Sequence, residues 1–66
     1  MGNKLRETRV VKRVTQFQLR VSTGIHQSKI SMIENELIQP RVDEIKRLSK
    51  ALGVQPNELF PLKAKV

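Results

Sequence analysis

Cysteine, tryptophan and tyrosine are absent from this sequence, which has two phenylalanines and a single histidine among its 66 residues. Without cysteine there is no disulfide, and one histidine offers too few ligands for a zinc site, so we expect no metal and no cofactor. No apolar run approaches the roughly 20 residues that cross a bilayer, and the N-terminal MGNKLRETR lacks a signal-peptide core. The sequence therefore predicts one small cytoplasmic domain, residues 1–66, stabilised by helix packing.

Acidic residues are also scarce. Six of them stand against 13 lysines and arginines, which gives a formal net charge of +7 at pH 7. The imbalance is greatest in residues 1–29, where Glu7 is the single acidic residue and the basic residues are Lys4, Arg6, Arg9, Lys12, Arg13, Arg20 and Lys29. Such a surface favours a polyanion, nucleic acid before an anionic membrane, although solvated charge on helix faces gives the same composition.

Patterns of catalytic residues are missing as well. No carboxylate pair, nucleophile–base pair or phosphate-binding glycine loop can be recognised in the sequence. We therefore expect a binding protein and not an enzyme.

The first half of the chain carries signals for three short helices. Residues 3–12 are typical of a helix with Asn3 as its N-cap. Thr15 and Gln18 have the spacing of a capping box, and Gly24 is a natural left-handed stop, so a second helix is expected between Thr15 and Gly24. A third helix is predicted from residue 27 to about residue 35.

The second half predicts two more helices after a loop that contains Pro40, which disfavours helix before it. Apolar residues then recur at about 3.6-residue spacing until Gly53, and these residues are Val42, Ile45, Leu48, Ala51 and Leu52. Pro56 suits the first position of a final helical turn, and Pro61 ends it and leaves residues 61–66 as a tail. The fold class is therefore predicted as all-α.

Two short helices joined by a glycine-containing turn, over about residues 15–35, form a helix-turn-helix. The segment TQFQLRVSTGIHQSKISMIEN, followed by P-x-V-D-E-I-x-x-L-x-K-A-L-G-V-x-P-x-E-L-F, resembles the phage repressor and Cro-like family, also called the xenobiotic-response-element family. The resemblance extends over about residues 4–60. It implies a compact five-helix repressor-like domain whose third helix lies in the DNA major groove.

Polar side chains crowd the first turn of that third helix. Amides and hydroxyls there can pair with base edges when the helix enters the groove end-on. From the resemblance and this chemistry, we expect base reading by Gln27, Ser28, Lys29 and Met32, and backbone contacts by Gln16, Asn35, Gln39 and Arg41. The alternatives are a solvated turn for Gln27 and Ser28 and plain surface exposure for Met32.

The resemblance also implies structural roles. Arg9 and Glu34 are expected to form a partly buried ion pair that orients the third helix on the first. His26 is expected to cap the third helix, where relatives carry Ser or Thr. The predicted core includes Ile30, Ile33, Leu37 and Leu48.

Three residues depart from the family pattern. Arg20 replaces a small residue between the second and third helices, so either its stem extends outward or the two helices lie further apart. Arg13 and Glu36 stand where glycine often ends a helix, and we expect both turns to differ locally from those of relatives.

These features predict a sequence-specific transcriptional regulator that binds double-stranded DNA in the nucleoid, on a palindromic operator and as a homodimer. The dimer contact is expected near Leu59, Phe60, Pro61 and Leu62, and in the loop at Leu37 and Ile38. The alternative is an antitoxin-type or other protein-interaction module in which DNA binding is secondary.

Overall fold

The computed structural model describes residues 3–61, and this part of the chain is folded into five α-helices without a strand. The helices are α1 (Leu5–Val11), α2 (Gln16–Thr23), α3 (Gln27–Glu34), α4 (Val42–Leu52) and α5 (Pro56–Leu59). The all-α, five-helix fold that the sequence predicts is confirmed. Among the described residues, no helix is both long and apolar enough to cross a membrane.

Local sequence signals set the bounds of α2. The Thr15 hydroxyl accepts the Gln18 N–H at 3.0 Å, and the Gln18 side chain accepts the Thr15 N–H at 2.8 Å. Both halves of the predicted capping box are therefore present. Gly24 ends the helix with φ of 79°, a left-handed conformation that glycine adopts without strain.

Arg13 and Glu36 adopt the same left-handed conformation, each with φ of 59°. After each of them, an N–H reaches back five residues: Val14 donates to the Arg9 carbonyl at 2.9 Å, and Leu37 donates to the Met32 carbonyl at 2.8 Å. This is the hydrogen bond that closes a glycine-ended helix. Both turns therefore have the left-handed backbone that glycine adopts without strain, although a side chain makes it costly. The local difference from the turns of relatives stays a prediction.

Side chains near the helix starts behave differently from one another. The Asn3 side chain accepts the Leu5 N–H at 3.1 Å and donates to the Ile33 carbonyl at 2.9 Å, which ties the start of α1 to α3. His26 precedes α3, but its side chain makes no capping hydrogen bond. His26 therefore occupies the expected N-cap position without a side-chain cap, since an imidazole nitrogen lies further from its own backbone than a Ser or Thr hydroxyl does. Only the His26 carbonyl takes part, accepting the Ile30 N–H at 2.9 Å.

All five helices contribute to one apolar core. Its buried members are Leu5, Leu19, Ile25, Ile30, Ile33, Leu48, Leu52 and Leu59, with Val14, Ile38, Val54 and Phe60 packed against them. Each buried leucine or isoleucine is worth about 1.5–3 kcal/mol relative to exposure. Burial of these side chains is therefore the main source of stability for a domain without disulfides.

One expectation about an apolar position is wrong. Leu37 is 71% exposed, because α3 ends at Glu34 and the left-handed residue Glu36 takes the chain out of the helical spacing. Val42, in the first turn of α4, is exposed to the same extent. The buried residues of α4 are Glu44, Leu48, Ser49 and Leu52, so its buried apolar side chains lie in its second half.

Candidate nucleic-acid interface

The turn between α2 and α3 is held by hydrogen bonds of Thr23. Its hydroxyl donates to the Leu19 carbonyl at 2.6 Å and accepts the Ile25 N–H at 3.1 Å. Ile25 itself is buried in the core, directly after the left-handed Gly24. These contacts fix the direction in which α3 leaves α2, as a helix-turn-helix requires. Arg20, on α2, is exposed, so its stem extends outward as one of the two alternatives predicted.

Helix α3 has a buried side and an accessible side. At about 100° per residue, positions 27, 28, 31 and 32 lie on one side and positions 29, 30, 33 and 34 on the other. Gln27, Ser28 and Met32 are exposed, whereas Ile30 and Ile33 are fully buried. We call Gln27, Ser28 and Met32, which are predicted to read bases, the reading surface. Their amide, hydroxyl and thioether groups can meet base edges and thymine methyl groups.

The buried carboxylate of Glu34 is connected to the reading surface through Gln16. The Gln16 amide donates to Glu34 Oε1 at 3.0 Å, and Gln27 Nε2 lies 3.5 Å from Gln16 Oε1. The first bond is well formed, and the second is at the long limit of hydrogen bonding. Gln16 thus lies between a fixed anion and the leading polar residue of α3.

The carboxylate of Glu34 is fully buried and bound by arginines from α1. Arg9 donates from Nε to Oε2 at 2.6 Å and from Nη2 to Oε1 at 3.2 Å, a bidentate pair, and Nη1 donates to the Val14 carbonyl at 3.0 Å. Burial alone would raise the pKa of Glu34, but hydrogen bonds from Arg9, Gln16 and Arg6 and the charge of Arg9 hold that pKa below its ordinary value of 4.5. The pair that the resemblance implies is present, with its carboxylate ionised at neutral pH.

Arg6 is a further residue of the candidate site, and it is not among the residues predicted from the sequence. Its Nη2 donates to Asn35 Oδ1 at 2.8 Å, and its Nε lies 3.4 Å from Glu34 Oε1. Asn35 also donates to the Ser31 carbonyl at 2.9 Å. The available signal was helical spacing, since Arg6 lies three residues before Arg9 and therefore on the same side of α1.

Lys29 lies on the buried side of α3, apart from the reading surface. Its Nζ is 2.6 Å from Glu44 Oε2 on α4, and the other carboxylate oxygen accepts the Arg41 N–H at 2.8 Å. The lysine was expected beside Gln27 and Ser28 as a base-reading residue. In the structure its charge is paired within the protein.

The loop that precedes α4 presents the remaining predicted contacts to solvent. Gln39 and Arg41 are both exposed. The Arg41 guanidinium lies 3.6 Å from the exposed carboxylate of Asp43, a surface contact worth little in free energy. Arg41 can therefore turn to a phosphate at small cost.

The expected dimer contact needs a correction. Leu59 is fully buried and belongs to the core, because α5 packs against α4 and places this side chain inside. Phe60 and Ile38 are half-buried against the same core, Pro61 is exposed, and Leu62 lies outside the described residues. Leu59 is therefore not available to a second copy.

Comparison with known proteins identifies the family of this arrangement. The family described as helix-turn-helix domain matches residues 2–65. The chain belongs to this family of helix-turn-helix domains. The domain is 39% identical over 60 residues to control protein C.BamHI of Bacillus amyloliquefaciens, a match that covers 89% of the domain and 74% of the relative.

A solved structure is similar as well. The restriction-modification controller protein C.AhdI from Aeromonas hydrophila matches the helix-turn-helix domain with a TM-score of 0.81 and 32% identity, over 86% of each chain. The repressor-like resemblance and the fold are thereby confirmed. The helix-turn-helix domain is a sequence-specific DNA-binding regulator of transcription, in a family of regulators and not of enzymes.

Proposed function

We propose that this helix-turn-helix domain is the controller of a restriction-modification system and that it binds a palindromic operator as a homodimer. Both relatives described above are control proteins, which supports the biological role. The observation that carries the DNA-binding mechanism is the exposed reading surface of α3 above the buried Glu34–Gln16 contact. A regulator that binds an operator acts where the DNA is, in the nucleoid of the cytoplasm.

The reading surface supplies sequence discrimination. The Gln27 amide pairs with adenine N6 and N7, Ser28 bonds to an adjacent base edge, and Met32 contacts a thymine methyl. Gln16 Oε1, 3.5 Å from Gln27 Nε2, offers a weak contact that favours one orientation of the Gln27 amide before DNA binds.

Backbone contacts hold the domain in register on the duplex. Gln16 begins α2, where the helix dipole favours a phosphate. Asn35, Gln39 and Arg41 are exposed after α3 and reach phosphates along the same strand. Such contacts fix position and carry no direct sequence information.

A homodimer follows from the small size of one reading surface. One α3 reads too few base pairs for useful selectivity, and a two-fold axis doubles the site. Of the contact residues expected from the sequence, Leu37 and Pro61 are exposed and Phe60 and Ile38 are half-buried. We assign the dimer contact to these four residues.

Selection of duplexes from a random DNA pool tests this function. We expect an enriched palindrome with half-site centres roughly 10 base pairs apart, one helical turn. An enriched motif without two-fold symmetry contradicts the dimer, and a pool without any motif contradicts operator binding and favours a protein-interaction module.

A further inference from the structure

The Lys29–Glu44 ion pair joins the two parts of the proposed interface. Lys29 is in the first turn of α3, directly after Ser28, and Glu44 is in the first turn of α4. Their charged atoms are 2.6 Å apart, with 34% of the lysine side chain and 10% of the glutamate side chain exposed. The second oxygen of the same carboxylate accepts the N–H of Arg41 at 2.8 Å. One carboxylate therefore contacts both the start of the reading helix and the residue that precedes α4.

This pair differs from the surface pairs of the domain. Burial alone would raise the pKa of Glu44, but hydrogen bonds from the Arg41 N–H and Lys29, together with the charges of Lys29 and Arg41, hold that pKa below its ordinary value of 4.5. The carboxylate is thus charged at neutral pH and largely shielded from water. Loss of Lys29 leaves a buried anion without its counter-charge, which a folded protein relieves by moving the groups around it.

The position of the pair along α3 suggests its role. Glu34 fastens the C-terminal end of α3 to α1 and α2 through Arg9 and Gln16. The Lys29–Glu44 contact fastens the N-terminal end to α4. A helix held at both ends presents its side chains within the narrow tolerance that bidentate base pairing needs.

We propose that Lys29 and Glu44 are positioning residues that set the distance between the reading surface of α3 and the backbone contact at Arg41. The inference rests on the proposed operator binding and deepens it. Base and backbone contacts form together only when this distance matches the distance between a base edge and its flanking phosphate. The pair then raises the affinity for the operator without touching DNA.

A direct role of Lys29 on DNA makes the opposite prediction for Glu44. If Lys29 leaves Glu44 to bind DNA, Glu44 competes for the lysine, and its removal strengthens binding. Removing a negative charge from a basic DNA-binding protein also strengthens binding through the general electrostatic attraction. The positioning role predicts weaker operator binding in spite of that attraction. The sign of the change separates the two roles.

The test uses Glu44→Gln, Lys29→Met and the double variant on the full chain. Glutamine keeps one oxygen for the Arg41 N–H, so the start of α4 retains its hydrogen bond while the ion pair is lost. Asp43→Asn is the matched control. It removes a carboxylate from the same turn of α4, but the side chain of Asp43 is 57% exposed. Dissociation constants are measured for the selected operator and a scrambled duplex at two salt concentrations, at a temperature where melting curves show each variant folded.

We expect Glu44→Gln and Lys29→Met each to weaken operator binding roughly tenfold, with the double variant no weaker than the stronger single effect. Binding of Glu44→Gln to the scrambled duplex stays equal or rises, and Lys29→Met keeps the salt dependence of the wild type. Asp43→Asn changes both duplexes alike or neither. Lys29→Met carries the same prediction as Glu44→Gln, so the test stands if one of them does not fold.

Two results overturn the inference. One is tighter operator binding by Glu44→Gln, and the other is a fall in salt dependence for Lys29→Met by about one phosphate contact. If the wild-type protein still prefers the operator to the scrambled duplex, either result rejects the positioning role and leaves the proposed function standing. Equal affinity of the wild-type protein for operator and scrambled duplex rejects the proposed function itself.

Discussion

Glu34 lies beneath the proposed DNA interface and accepts hydrogen bonds from three neighbouring side chains. Its buried carboxylate is shared by Arg9, Arg6 and Gln16, and no hydrogen-bonding atom of a buried side chain lacks a partner among the described residues. A buried ion pair of this kind adds little net free energy, but a lone buried charge is expensive. Removing one partner is therefore the informative experiment.

Arg9→Ala should destabilise the domain by about 3 kcal/mol, because Glu34 then remains buried with weaker partners. Thermal denaturation measures this loss. Arg6→Ala is the control: its side chain is exposed and lies 3.4 Å from the same carboxylate, so a loss under about 1 kcal/mol is expected. Operator binding by Arg9→Ala should fall only as far as the unfolded fraction rises. Loss of operator binding at an unchanged melting temperature would instead mean that Arg9 contacts DNA.

The same carboxylates predict how stability depends on pH. The folded-state pKa values of Glu34 and Glu44 are below the ordinary 4.5, so the unfolded chain takes up protons first as pH falls. The stability they contribute is present above pH 4.5 and is lost as pH decreases through their folded values. Denaturant titrations between pH 7 and pH 3 should show this decrease. The decrease in stability should be smaller for Arg9→Ala than for the wild-type protein. An equal decrease would show that Glu34 does not contribute to the pH dependence.

At the scale of helices and turns, the left-handed residues Arg13 and Glu36 have the clearest consequence. A side chain in this conformation costs roughly 1–2 kcal/mol, and glycine avoids the cost but loses more entropy on folding, roughly 0.5–1 kcal/mol. Glu36→Gly and Arg13→Gly should therefore each stabilise the domain, by about 0.5–1 kcal/mol. Melting curves measure the gain.

Gly24→Ala is the control for these variants. A Cβ at Gly24 meets no atom within 4 Å, so its cost is backbone strain alone, and a loss of about 1 kcal/mol is expected. Destabilisation by both Glu36→Gly and Arg13→Gly would mean that these side chains make contacts worth more than the strain.

The helices that sequence predicts best are those with local signals. The capping box at Thr15 and Gln18 and the stops at Gly24 and Gly53 involve atoms within a few residues, so their chemistry is visible in the sequence. The exposure of Leu37 was missed because it depends on where α3 ends, and a helix end is the least certain feature of a periodic pattern.

Contacts between helices were harder to predict. Lys29 pairs with Glu44, 15 residues later, and no spacing rule connects two separate helices. At about 100° per residue Lys29 lies beside the buried residues of α3, but the prediction followed its polar neighbours in the sequence. The Arg9–Glu34 pair is equally non-local, and only the family resemblance indicated it.

At the scale of the whole molecule, the proposed dimer gives two protein chains per operator. Light scattering of the complex on the selected duplex should show this mass, while the free protein at low concentration remains monomeric. Leu37→Glu should weaken assembly on the operator and leave the fold intact, because this side chain is 71% exposed. One chain bound to a site without symmetry would contradict the dimer.

In the proposed mechanism, α3 discriminates between bases while the loop before α4 holds the DNA backbone. The decisive measurement is a titration of Gln27→Ala and Arg41→Ala against the operator and a scrambled duplex at two salt concentrations. Gln27→Ala should cost about 1–3 kcal/mol on the operator and little on the scrambled duplex. Arg41→Ala should weaken both duplexes and reduce the salt dependence by about one phosphate contact. If Gln27→Ala weakened both duplexes equally, or neither, α3 would not be the reading helix in the register described.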